Sequence, residues 1–225
     1  IALCILSAIN VGNLRELDDL KNLTDLAVRA LDQIIDYQRY PVIAAEISTK
    51  ARRSLGIGYI GLAHYLAKKG LKYSDIEAAQ SVNRLTEAFQ YYLIKASVEL
   101  AKEKGPCEYF SRTKYSQGIL PIDTYKRDVD EFLGTDLHYD WELLRREIAE
   151  HGMRHSTLSA QMPSESSSVA SNETNGIVNS SFAKIAIPST PMSQWFDNEH
   201  MPYKFYYPAA ERIRKLKVEV SLQLI

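Results

Sequence analysis

The chain has 225 residues, 45% hydrophobic and 24% charged, and 27 basic side chains against 28 acidic ones give a formal net charge of −1. That length supports one sizeable core, and the near-neutral balance excludes the broad electrostatic footprint of a nucleic-acid binder while leaving room for a single anion held locally. No apolar run reaches the roughly 18–20 residues of a membrane helix, and the opening apolar stretch lacks the basic lead of a signal peptide, so a cytoplasmic protein with no membrane partner is expected.

Residues 1–9 form a continuous apolar run with β-branched members, closed by Asn10, Gly12 and Asn13, which predicts a buried strand ending in a turn. An opening Ile1 in place of Met reads as a truncated or processed chain. From Leu14 the apolar period becomes helical and runs through Leu31, Ile34 and Ile35 to a stop at Pro41. A second helix is expected over 43–50. The segment Arg52–Gly61 carries three glycines and leads into Leu62–Leu66. Ser74 or Asp75 is placed to cap the longest helix, whose apolar set runs from Ile76 to Leu100 and whose stop is Gly105-Pro106.

Beyond Cys107 the pattern is loop-like to about Pro121, followed by helices near 123–132 and 141–151. A short apolar segment, Ser156–Ala160, then reads as a strand before a serine-rich loop from Pro163 to Asn175. After Ile177 the prolines at 188, 191, 202 and 208, the scattered aromatics and a basic patch at 212–217 show weak periodicity. The pattern amounts to a helix-rich α/β chain with two short strands and no internal repeat.

The serine loop is the best candidate site on local grounds. Met162-Pro163-Ser164-Glu165-Ser166-Ser167-Ser168 follows a predicted strand and leads into a helix opening at Val169. Small hydroxyl residues let the backbone approach a ligand and supply N–H and O–H donors, and a strand-to-helix junction favours an anion. The competing reading is a solvated loop with ordinary serine capping. On spacing alone that is the commoner outcome, since Glu165 facing inward would repel an anion.

Cys4 falls in the predicted buried strand, where most cysteines are small core residues; the alternative is a redox thiol with a distant partner. Cys107, after Gly-Pro at a helix end, reads as the more exposed of the two, yet inert for want of a basic neighbour. Two cysteines make neither a disulfide framework nor a structural zinc site. Gly56, Gly58 and Gly61 spell Gly-x-Gly-x-x-Gly, but a dinucleotide site needs a preceding strand and a βαβ unit. Helical patterns flank this motif, so close helix packing is expected. His151 and His155 are four apart, but Gly152 and a predicted helix end separate their faces, which argues against zinc. Asp128, Asp130 and Glu131 read as an exposed helix face and not an acid–base couple.

Longer runs carry a resemblance. Ile1–Asn10, Asp36-Tyr37-Gln38, Arg53–Gly58, Leu100–Pro106, Gly118–Ile122, Asp140-Trp141-Glu142, and Arg154–Ser168 with Thr174–Ile177 occur, in this order, as in the large subunit of class I ribonucleotide reductases. The chain resembles a C-terminal barrel-domain fragment of that subunit over residues 1–177, with 178–225 a divergent, split or frameshifted tail.

The resemblance implies part of a ten-stranded α/β barrel. It makes Cys4 one half of the thiol pair that reduces the ribonucleotide and ends as a disulfide. It makes Ser164, Glu165, Ser166 and Ser167 the turn that holds the substrate diphosphate, with the Glu165 side chain turned away. Tyr206 and Tyr207 match a radical-relay pair only weakly, since they come about 30 residues after Gly176 and the chain has 14 tyrosines.

The implied partners are a ribonucleoside diphosphate, a radical-generating small subunit, the remainder of the large subunit, and thioredoxin or glutaredoxin. No cofactor is expected on this chain itself. The full enzyme takes its radical from the small subunit, electrons from a dithiol, and control from ATP and deoxynucleotide effectors. The radical cysteine and its Asn and Glu helpers are expected upstream of Ile1, so the isolated chain should not turn over nucleotide. A non-catalytic remnant or split-gene piece is the alternative.

Overall fold

The computed structural model describes residues 3–73, 75–162, 165–171 and 173. Two parallel strands, β1 (Ile5–Asn10) and β2 (Leu55–Ile60), pair in register from Ile5 opposite Leu55 to Asn10 opposite Ile60. The crossover between them consists of α1 (Asp19–Tyr37) and α2 (Ile43–Arg52). On the other side of β2, the short apolar segment predicted as a strand lies parallel to it. Leu55 N donates to Thr157 O (3.0 Å), Ile57 N to Leu158 O (2.8 Å) and Ala160 N to Ile57 O (3.2 Å). The order is therefore β1, β2, then 157–160.

The helices that follow β2 are α3 (Leu62–Lys68), α4 (Ile76–Lys104), the short α5 (Pro121–Thr124) and α6 (Asp130–Leu133), α7 (Trp141–His151) and α8 (Glu165–Ala170). At 29 residues α4 spans about 44 Å. It ends where Gly105 takes φ +81, a value that favours glycine. The predicted cap Asp75 turns its carboxylate to the N–H of Lys72 (2.8 Å) and makes no side-chain cap on α4. Asp140, by contrast, caps α7 through Leu143 N (2.8 Å). The region expected as one helix near 123–132 is two short turns, because Tyr125 and Lys126 take extended backbone between them.

All six residues of β2 are buried. On one face of the strands Ile9, Ile57 and Tyr59 pack with Val28, Leu31 and Ile35 of α1 and with Phe89 and Leu93 of α4. Tyr59 meets Phe89 edge-on, with centroids 5.4 Å apart. The opposite face carries Leu6, Ala8, Gly56 and Gly58 by strand alternation. None of the described helices covers Leu6, which is 56% exposed. Among the described residues the fold is thus a parallel sheet backed by helices on one face and open beside β1 on the other, as expected for part of an α/β barrel.

The glycine motif is not a helix-packing site. Gly56 and Gly58 lie inside β2, and only Gly61 sits in the turn, at φ +77. A Cβ on Gly58 would run into the Ala160 carbonyl oxygen and lie 2.9 Å from Met162 Sδ. These glycines let neighbouring backbone approach closely, and their place within the strand leaves no phosphate-cradling turn.

An ion network locks the back of the sheet. Asp32, on the buried face of α1, is fully enclosed. It accepts from Arg53 Nε (2.5 Å), Arg154 Nε (3.1 Å) and Lys104 Nζ (3.1 Å). Arg53 also grips Asp36 with two nitrogens, at 2.9 and 2.8 Å. Burial pushes the Asp32 carboxyl up, but His155, Arg53 and Arg154 overcome it and hold the group far below the usual carboxylate range. Arg53 has φ +48, the one non-glycine residue in the left-handed region among those described, a conformation that costs about 1–2 kcal/mol. The same guanidinium that closes the network thus holds the strained turn from α2 into β2.

Candidate functional site

The second face of the sheet carries Cys4, and the carboxyl ends of the strands lead toward the described part of the serine segment. Cys4 precedes β1 and is exposed, contrary to its expected burial. The reason is topological: the described helices that back the sheet, α1 and α4, pack on the other face. Its sulfur would lie 3.6 Å from a Cβ on Gly56, which would also meet Leu6 Cδ2 and Ala160 Cβ. Cys4 therefore projects onto the face lined by small residues. Cys107 reverses its expectation too. It is 4% exposed, beneath a backbone bond from its N–H to Met153 O (3.0 Å), and burial pushes its thiol up. Of the two, Cys4 alone has the access a reactive thiol needs.

At the carboxyl end of β2 the chain 161–162 continues the third strand by side-chain means. Gln161 Nε2 donates to Tyr59 O (2.7 Å), and its Oε1 accepts from Tyr59 N (3.2 Å), reproducing a ladder pair with an amide side chain. Gln90 of α4 donates to Ser159 Oγ (2.8 Å) and steadies the same strand from behind. The serine segment thus leaves from the strand ends, where open α/β sheets bind ligands.

The segment opens a helix earlier than Val169, since α8 begins at Glu165. Ser167 is exposed and Ser168 is buried. Ser171 N and Oγ both reach Ser167 O (3.0 and 2.8 Å), and Glu173 N donates to Ser168 O (2.9 Å). Of Glu165 and Ser166 only the backbone is described; Ser164, Tyr206 and Tyr207 lie outside the described residues.

Sequence reasoning missed a second group at these strand ends. Glu173 is 1% exposed, and both its carboxylate oxygens face His64 Nδ1, at 2.9 and 3.1 Å. His64 lies in the first turn of α3, directly after Gly61. A Cβ on Gly12 would fall 2.7 Å from Glu173 Oε2, and one on Gly61 would fall 2.9 Å from Glu173 Cγ, so two glycines make room for the carboxylate. Nothing in the local sequence signals this pair, because the strand that ends at Gly61 is not apparent before folding.

The Asp32 network was missed as well, although an acid among Val28, Leu31 and Ile35 on an apolar helix face was its signal. His155, set aside as a metal ligand, is fully buried there. Its Nδ1 lies 2.9 Å from Ser97 Oγ and its Nε2 3.3 Å from Asp32 Oδ1. Burial holds His155 below the usual histidine range against the pull of Asp32. Among the described residues no group of three His, Cys, Asp or Glu side chains is arranged to hold a metal ion, and no helix is long and apolar enough to cross a membrane.

Residues 1–190 match the family model described as "Ribonucleotide reductase, barrel domain". The chain is 61% identical over 177 residues to the ribonucleoside-diphosphate reductase subunit alpha of Haemophilus influenzae, covering 79% of this chain and 23% of that protein. It is 58% identical over 143 residues to ribonucleoside-diphosphate reductase 1 subunit alpha of Escherichia coli, covering 64% and 19%. The subunit alpha of Enterobacteria phage T4 is 47% identical over 178 residues, covering 78% and 23%. The chain thus spans about a quarter or less of the length of these relatives, and it belongs to the ribonucleotide reductase barrel-domain family.

Proposed function

We propose that this chain is a piece of a ribonucleoside-diphosphate reductase large subunit that supplies the substrate's diphosphate anchor and one of the two reducing thiols. The single observation that carries the reading is the placement of the serine segment at the carboxyl ends of parallel strands, in a chain of this family. Backbone N–H groups and hydroxyls of Ser164, Glu165, Ser166 and Ser167 would hold the diphosphate. The ribose would then lie over the face that carries Ala8 and the exposed Cys4. Fixing the phosphate end orients the sugar, and orientation selects the hydrogen removed in radical chemistry.

Cys4 faces the same surface. Together with a second thiol from the rest of the subunit it would deliver two electrons and two protons to the ribose. The 2′-hydroxyl would leave as water and the two sulfurs would be left as a disulfide. Thioredoxin or glutaredoxin would re-reduce that disulfide, and the radical would come from a small-subunit cofactor. The chain's own part is to bind, orient and reduce.

In the full-length subunit carrying this segment, assayed with its small subunit and a dithiol, Ser166→Ala and Ser167→Ala together should raise KM for CDP and leave kcat within a few-fold. That is the pattern of lost uniform binding. An unchanged KM would remove the diphosphate assignment.

A further inference from the structure

The serine segment is held in place by polar anchors. Among its described side chains from 167 to 173, Ser168 and Glu173 are buried, while Ser167, Ala170 and Ser171 are exposed. The backbone bonds from Ser171 to Ser167 and from Glu173 to Ser168 make these residues one unit with α8. Where that unit sits over the strands is set by where the Glu173 carboxylate sits.

Burying a carboxylate costs several kcal/mol unless it is hydrogen-bonded or paired. Here His64 Nδ1 stands between its two oxygens at 2.9 and 3.1 Å. A carboxylate only accepts, so Nδ1 carries the hydrogen. The niche around it is built from both strand ends: Gly12 follows β1 and Gly61 follows β2, each passing within the space a Cβ would take. One turn further along α3, Lys68 Nζ donates to the carbonyls of Gly12 and Leu14, at 3.1 and 3.2 Å, and fixes the β1 side of the niche. His64 is 28% exposed, so it can be altered without opening the core.

We propose that His64 and Glu173 are a positioning pair that seats the serine turn over the ends of β1 and β2, and so set the affinity for the nucleotide's diphosphate. The inference rests on the reading of the serine turn given above. The pair does not touch the reacting atoms. It fixes the height and tilt of the segment whose N–H groups meet the phosphates, and a shift of that segment weakens binding without altering the thiol chemistry.

The test uses the full-length subunit with its small subunit, a dithiol and CDP. Glu173→Ala and His64→Ala should each raise KM about ten-fold while kcat changes less than three-fold. The double variant should be no worse than either single one, since the two act as a unit. His64→Asn, whose amide nitrogen can take the place of Nδ1, should restore KM to within about two-fold. Packing damage alone would not be rescued in this way. If Glu173→Ala does not fold, the two His64 variants decide the matter.

An unchanged KM in His64→Ala, or a fall in kcat without a rise in KM, overturns the pairing. If the double serine variant raises KM and the His64 variant does not, the turn binds phosphate without this pair. An unchanged KM in the serine variant overturns the underlying reading and this inference with it.

Discussion

Replacing Asp32 with Asn tests whether the buried ion network holds the back of the sheet together. The exchange keeps volume and removes a charge that three cationic side chains approach at 2.5–3.1 Å. Breaking a fully buried pair costs about 3–5 kcal/mol. The lower end applies here, because the partners keep other acceptors. Arg53 retains both oxygens of Asp36 and the Asp32 carbonyl, and Arg154 retains the carbonyls of Lys104 and Gly105. Lys104, a third exposed, can turn to water.

A loss of about 3 kcal/mol corresponds to a fall of about 10 °C in Tm for a chain of this size, read by circular dichroism on the 225-residue chain. The Asp32 carboxyl is depressed in the folded state. Its stabilisation is therefore complete above the unfolded value of about 4 and is lost as pH falls from there toward the folded value. The gap between wild type and variant should accordingly stay constant from pH 5 to 8 and close only in stronger acid. A fall of less than about 3 °C at pH 7 would show that the guanidiniums are already solvated and would refute the reasoning.

Three further outcomes follow from the same geometry. Gly58→Ala should cost about 3 kcal/mol, at the upper end of overpacking, because its Cβ meets the Ala160 backbone. Gly56→Ala should cost less than about 1 kcal/mol on the same scale, because the main obstacle is the exposed Leu6 side chain; equal melting points for the two would contradict this. His155 is held neutral by burial, so folding loses stability as pH falls below the unfolded value of about 6.5. His155→Gln should flatten Tm between pH 7 and 5.5, and parallel curves for the two proteins would argue against it. Cys4→Ser in the full-length subunit should lower CDP turnover at least about 100-fold, roughly the loss of a group acting in the chemical step, whereas Cys107→Ser should leave turnover within a few-fold. The reverse order would rule out Cys4 as the reducing thiol.

Helix positions were legible wherever periodicity and punctuation agreed. The spacing through Ile34 and Ile35 and the Gly105 stop both match elements in the structure. β2 was not legible, because the glycines that alternate with Leu55, Ile57 and Tyr59 read as punctuation and not as strand residues, and glycine in a strand signals a neighbour's approach that lies elsewhere in the chain. The exposure of Cys4 was hidden for a related reason. An apolar run reports that a strand is hydrophobic, but not which face its helices cover. The Asp32 and Glu173 clusters join residues 122 and 109 positions apart, and only the folded chain places them together.

The two faces of the sheet divide the work in a way the residue sizes explain. Toward the helices the strands present Ile9, Ile57 and Tyr59, large groups that fill a core and make the sheet rigid. Toward the other face they present Ala8, Gly56 and Gly58, and the two glycines let the 160–162 segment and the Leu6 side chain come close. Side-chain hydrogen bonds tie residues 161 and 173 to the strand ends. Gln161 does this at β2, and the Glu173–His64 pair does it at the ends of β1 and β2. Both anchors are hydrogen bonds of defined direction, which fix orientation more tightly than apolar contact would. In the proposed reaction, which selects one hydrogen of a ribose, orientation is the quantity such anchors would control.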